Sequence, residues 1–189
     1  MRLPLLPPDR LVETQKALYA DMKGGIETRF GGFSTIREDG ALLGPWNPWL
    51  HEPKFGGPIW ELVEALSYFP GLPRPVREVA ILVAGAAFRA AYEIYAHSLL
   101  GEKSGLSEAK IATIVAGQRP TDLSPEEAIA YDVAAGLMRG GVLPELTYRA
   151  AVGAFGMHGA AELIYLVGLY AFVSTTLNGF DVPIPEQQS

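Results

Sequence analysis

From Pro58 onward, apolar residues form long blocks separated by short breaks rich in Gly, Pro, Ser or charge, and no stretch alternates with a clear period of two. Blocks of that length favour helices over strands. The pattern predicts helices over Ile59 to Tyr68, Pro75 to Leu100, Ser107 to Ala116, Ser124 to Arg139, Pro144 to Phe155 and His158 to Leu177. Start and stop signals support it. Ser107 precedes Glu108-Ala109-Lys110, and Ser124-Pro125-Glu126-Glu127 places a cap, a first-turn proline and two first-turn acids in the expected order. Gly140-Gly141 closes one block and Pro144 opens the next. The fold class this implies is all-α.

The first 57 residues have a different texture. One helix is expected from Asp9, as its N-cap, to Met22, followed by Gly24-Gly25. A Gly/Pro-interrupted run from Phe30 to Gly57 carries two of the three tryptophans and reads as an ordered loop. The expected organisation is an N-terminal helix and loop over 1–57, a helical domain over 58–182 and a tail over 183–189.

A chain of 189 residues is long enough to bury a sizeable core. With 49% apolar and only 19% charged residues, part of its apolar surface is expected to be covered by other subunits. The net charge of −6, with no basic cluster longer than a pair, argues against nucleic-acid binding. No cysteine is present, which removes disulfides and every thiol mechanism. The first residues, Met1 to Pro8, lack the apolar run of a signal peptide, so the expected location is cytoplasmic. Leu163 to Phe180 is uncharged and approaches the length of a membrane span. Without basic flanks, it reads instead as a buried or subunit-interface helix, and no membrane partner is expected.

Ionisable groups set into the most apolar block are the candidate chemistry. Glu93 and His97 lie four apart, one turn along a helix and on nearly the same face. A carboxylate beside an imidazole can orient the ring and raise its basicity, which suits proton transfer. Tyr92 is a candidate second donor. Glu78 would lie roughly 22 Å from Glu93 along an unbroken helix. It joins the site only if the helix breaks near Phe88-Arg89-Ala90 or another subunit supplies it; otherwise it pairs with an arginine such as Arg74 or Arg77. Arg77 and Arg89 are candidates for a substrate carboxylate, and Trp46, Asn47 and Trp49 for a pocket wall. His158 and Glu162 form a second four-apart pair, so a His/Glu metal site is a lesser alternative. No metal or cofactor is expected.

From Arg77 to His97, through Gly105-Leu106-Ser107-Glu108-Ala109-Lys110-Ile111, and on to Ala161–Tyr170, the sequence resembles the carboxymuconolactone decarboxylase and alkylhydroperoxidase D-like family. The loop Gly44-Pro45-Trp46-Asn47-Pro48-Trp49-Leu50 is similar to one upstream in many cysteine-free members. The peroxidase branch carries Glu, eleven residues, Cys, one residue, His, Cys, three residues, His. Laid on this chain, its outer Glu and His fall on Glu78 and His97, its cysteines on Ala90 and Glu93, and its middle His on Tyr92. The resemblance implies an alkylhydroperoxidase D-like helical bundle that forms trimers or hexamers. It also implies decarboxylase-like chemistry without thiol peroxidase activity.

The function expected is a lyase or decarboxylase-like enzyme acting on a small organic acid or lactone. His97 is the acid–base group, Glu93 sets its tautomer, and Tyr92 and Glu78 assist. The alternative of another class is a non-catalytic oligomer that binds a small ligand on the same scaffold.

Overall fold

A computed structural model describes residues 1–68 and 71–185; the last four residues of the expected tail lie outside the described residues. Among the described residues a 3-10 turn, Pro8–Arg10, precedes eight helices: α1 (Glu13–Arg29), α2 (Trp46–His51), α3 (Pro53–Tyr68), α4 (Arg74–Phe88), α5 (Ala91–Ser104), α6 (Glu108–Val115), α7 (Pro125–Met138) and α8 (Glu145–Phe180). Among the described residues only isolated bridges occur outside helices, Gly31 with Phe33 and Ile36 with Leu42. The chain forms two compact units, one of Met1–Phe69 with Thr176–Ser189 and one of Pro70–Thr175.

In the first unit α1, α2 and α3 pack on one another. The first helix differs from expectation at both ends. Asp9 lies in the 3-10 turn rather than capping α1, which begins at Glu13 after Val12. The Val12 N–H is taken by the Gln15 side chain at 3.1 Å. At the other end α1 continues through Gly24-Gly25 to Arg29. Tertiary packing overrides the poor helix propensity there: a Cβ on Gly25 would lie 2.4 Å from the Trp60 ring, so glycine is what lets α1 approach α3. The run expected as loop contains α2, and α3 starts at Pro53 rather than Ile59. Pro58 lies inside α3, where it removes one early hydrogen-bond donor.

In the second unit α4 is apolar on nearly every face, as a central helix must be. It is buried from Val79 to Gly85 and packs against α5, α6 and α7. Val79, Leu82, Ile111, Ile114, Val133, Leu163 and Leu166 belong to one core. The caps follow the sequence: Ser107 Oγ accepts from Lys110 N, and Ser124 and Glu127 exchange hydrogen bonds in a capping box. The expected break between the last two helical stretches falls at Gly156, whose φ of 69° and ψ of 177° interrupt α8. By length and composition alone α8 could cross a membrane; Leu163, Leu166 and Val167 on it are core residues.

The helix expected over Pro75 to Leu100 is two helices, α4 and α5, separated at Arg89-Ala90. Arg89 adopts the left-handed conformation at φ 52°, its N–H bonds to Ala86 O at 3.0 Å, and the Ala90 N–H bonds to Gly85 O at 3.0 Å. These bonds close a Schellman-type turn, a position glycine usually fills. An L-residue with a Cβ is strained there. Arg89→Gly is therefore expected to raise stability by about 1 kcal/mol, or about 2–4 °C in thermal unfolding. An unchanged or lowered midpoint would show that the arginine side chain contributes more than the strain removes.

Candidate functional site

The turn at Arg89 folds α5 back along α4 and brings Glu78, near the start of α4, to His97 in the middle of α5. His97 Nδ1 lies 2.7 Å from Glu78 Oε2, a short bond with the carboxylate as acceptor and the ring N–H as donor. On the opposite side His97 Nε2 lies 3.2 Å from Glu93 Oε1. This second contact is close but not aligned as a hydrogen bond, and Glu93 Oε1 is buried without a hydrogen-bond partner. Arg74 extends the array, its Nε 3.8 Å from Glu78 Oε1. All three central residues are buried: Glu78 is 5%, Glu93 3% and His97 6% exposed. Gly85 makes room for the pairing, since a Cβ there would lie 3.1 Å from Glu93 Cγ.

Burial and mutual charge set the protonation of this array. Burial pushes the Glu93 carboxyl up, His97 opposes that and Glu78 reinforces it, leaving it at about 7. For His97, burial acts to lower the pKa, but the charges of Glu93 and Glu78 outweigh it and the net shift is upward. Both shifts are upward and both come from the same contacts: the carboxyls favour the charged ring, and burial with Glu78 favours the neutral Glu93 carboxyl.

The expected role of Glu93 in setting the ring tautomer falls instead to Glu78, which holds Nδ1. Tyr92 is buried beside Glu93 in sequence, its ring edge-on to Tyr95 at 6.0 Å, and burial raises its phenol pKa well above the usual value, so it remains a proton donor. Tyr170, on α8, was absent from the candidates. Its ring meets the His97 ring edge-on at 4.9 Å, and burial with the Glu93 and Glu78 charges raises its pKa. No local spacing signals it, because the contact joins residues far apart in sequence.

The remaining candidates differ in their surroundings. Arg77 is engaged by Glu162, whose second oxygen accepts from Gly71 N at 2.6 Å, so its guanidinium is already matched to a carboxylate of the protein. Arg89 is exposed at the turn between α4 and α5. Trp46, Asn47 and Trp49 are buried in the first unit. Asn47 accepts from Leu6 N and donates to Pro4 O, each at 3.1 Å, and Trp46 packs edge-on to Phe30 at 5.6 Å. His158 is exposed, and Glu162 is spent on Arg77, so they do not join Glu93 and His97. Among the described residues no group of three or more His, Asp or Glu is arranged to hold a metal ion.

Residues 53–136, which contain Glu78, Glu93 and His97, match the carboxymuconolactone decarboxylase family. Two solved structures are similar. The apo debrominase Bmp8 has 13% identity and a TM-score of 0.72, with 93% of this chain and 90% of that chain covered. A cysteine-to-alanine variant of the same debrominase, in complex with 2,3,4-tribromopyrrole, has 15% identity and a TM-score of 0.71, with 97% and 92% covered. At that identity the likeness is one of fold, an all-α alkylhydroperoxidase D-like arrangement. No curated protein matches the chain.

The array makes stability depend on pH. Glu93 binds its proton more tightly when folded than its ordinary 4.5 allows, so its contribution is complete below that value and is lost as pH rises through about 7. His97, also raised, has the same sign, its contribution being lost as pH rises through its elevated pKa. The unfolding free energy should fall by on the order of 2 kcal/mol between about pH 5 and pH 8, and Glu93→Gln should remove most of that slope. Denaturant titrations of both proteins across this range provide the check. Parallel slopes would mean that Glu93 is ionised in the fold throughout.

Proposed function

We propose that the protein, whose residues 53–136 match the carboxymuconolactone decarboxylase family, is a small-molecule enzyme that moves a proton to or from an organic acid or lactone, with decarboxylation or isomerisation as the outcome. The observation that carries this reading is the buried imidazole of His97 held between two carboxyl groups, Glu78 at 2.7 Å and Glu93 at 3.2 Å. Three ionisable groups in a core are costly to desolvate, and the fold nevertheless brings them into contact.

The chemistry follows from that arrangement. Loss of CO₂ from a β-oxo acid, or removal of a proton beside a lactone carbonyl, leaves an enolate that must be stabilised and then protonated. Glu78 holds Nδ1–H and favours the charged ring, so the array can take up a proton and return it. Tyr92, protonated at neutral pH, suits hydrogen bonding to the enolate oxygen. Thiol-dependent routes, peroxide reduction by a dithiol among them, are closed to a chain without cysteine.

The test is to incubate the protein in D₂O with enolisable five-membered lactones, with and without a ring carboxyl, and follow α-proton exchange and CO₂ release by NMR. Catalysed exchange or decarboxylation is expected, reduced about 100-fold or more in His97→Ala and in Glu78→Gln. Folded variants that turn over at the parental rate would remove the array from the mechanism.

A further inference from the structure

We infer that Tyr170, on α8, is the group that donates a hydrogen bond to the oxygen on which the substrate gathers negative charge. This rests on the acid–base reading above and adds to it a residue from a third helix. Enolate chemistry needs a donor beside the proton-transfer groups, one that keeps its own proton while charge develops. Two phenols have that chemistry, Tyr92 and Tyr170, and position separates them. Tyr92 is 2% exposed, as enclosed as the array itself. Tyr170 is half-buried, with its ring edge-on to the His97 ring at 4.9 Å. Of the groups against the imidazole, Glu78, Glu93 and Tyr170, only Tyr170 reaches the surface.

The Tyr170 hydroxyl makes no hydrogen bond to another described residue, so its donor is unspent. Burial, with the charges of Glu93 and Glu78, holds its proton more tightly than usual. It can therefore donate a hydrogen bond without giving the proton up. One turn further along α8, on nearly the same face, Ser174 is fully buried and its Oγ also lacks a partner. A helical serine or threonine commonly bonds the carbonyl four residues back, as Thr175 does to Ala171 O at 2.9 Å. Ser174 does not. The face of α8 turned to His97 thus carries two hydroxyls that the fold leaves unsatisfied, where folded proteins ordinarily pair them. A ligand with two oxygens, such as a lactone or an organic acid, supplies the missing acceptors. In the reaction a proton leaves the substrate carbon for the array and the electron pair moves onto the carbonyl oxygen, which accepts from Tyr170. The phenol O–H bond stays intact, and protonation at carbon reverses the sequence.

The probe is tetronic acid, a five-membered lactone whose enol is ionised at neutral pH and so presents a stable lactone enolate. Its binding to the intact protein is measured by isothermal titration calorimetry in the parent, in Tyr170→Phe and in Tyr165→Phe, which alters an exposed tyrosine of the same helix. Tyr170→Phe removes one oxygen and keeps the ring against His97. A dissociation constant raised about tenfold in Tyr170→Phe and unchanged in Tyr165→Phe is expected. Thermal unfolding of Tyr170→Phe should show a midpoint at or above that of the parent, because the hydroxyl it loses has no partner in the fold. Equal affinity in the parent and Tyr170→Phe would overturn the assignment, as would a loss confined to Tyr92→Phe or no binding to the parent at millimolar tetronate. A Tyr170→Phe protein that melts several degrees lower or does not fold would show the hydroxyl to be structural, and also overturns it. The two readings fail separately. Tetronate held through Tyr170 without turnover of any lactone keeps the donor and removes the proposed reaction; lactone turnover at the parental rate in Tyr170→Phe does the opposite.

Discussion

A single turn at Arg89-Ala90 decides the chemistry of this protein. Without it, one apolar stretch would run as a continuous helix and hold Glu78 roughly 22 Å from Glu93. With it, α5 folds back on α4, and a carboxylate nineteen positions away reaches His97 at 2.7 Å. The turn is made by a residue with a Cβ in a left-handed conformation and is held by hydrogen bonds to Ala86 and Gly85. Gly85 therefore serves twice, as an acceptor that closes the turn and as the space that admits Glu93.

The array that the turn creates is a poor way to stabilise a protein and a good way to move a proton. Burying two carboxyls and an imidazole carries a desolvation penalty that their mutual attraction offsets only in part. The sign of each pKa shift follows from that balance. Burial dominates at Glu93 and favours its neutral form, whereas at His97 the two neighbouring carboxyls prevail and favour the charged form. A site kept in this condition within an otherwise apolar core fits function better than stability.

Laid on the pattern of the peroxidase branch that the sequence resembles, Glu93 falls at the second cysteine position and Ala90 at the first. The fold is shared with a debrominase, and this chain carries a carboxyl and no thiol at position 93. A carboxyl is an oxygen acid rather than a soft nucleophile, so the reactions open to it differ from those of a thiol. The scaffold is common to both; the reaction follows from the groups at a few positions.

The sequence by itself determined the helical class, the caps at Ser107 and Ser124, the interruption near Gly156 and the pairing of Glu93 with His97. Each depends on residues within a few positions of one another, where helical geometry and capping chemistry act directly. Other features were decided only by the tertiary structure. The extension of α1 through Gly24-Gly25 depends on the Trp60 ring that Gly25 accommodates. The engagement of Arg77 by Glu162 and the edge of Tyr170 on His97 join residues more than seventy positions apart. The exchange of roles between Glu78 and Glu93 depends on a turn whose left-handed residue, an arginine, gives no glycine signal. Contacts of that kind are chosen by packing and desolvation in the assembled core, and local pattern carries no record of them.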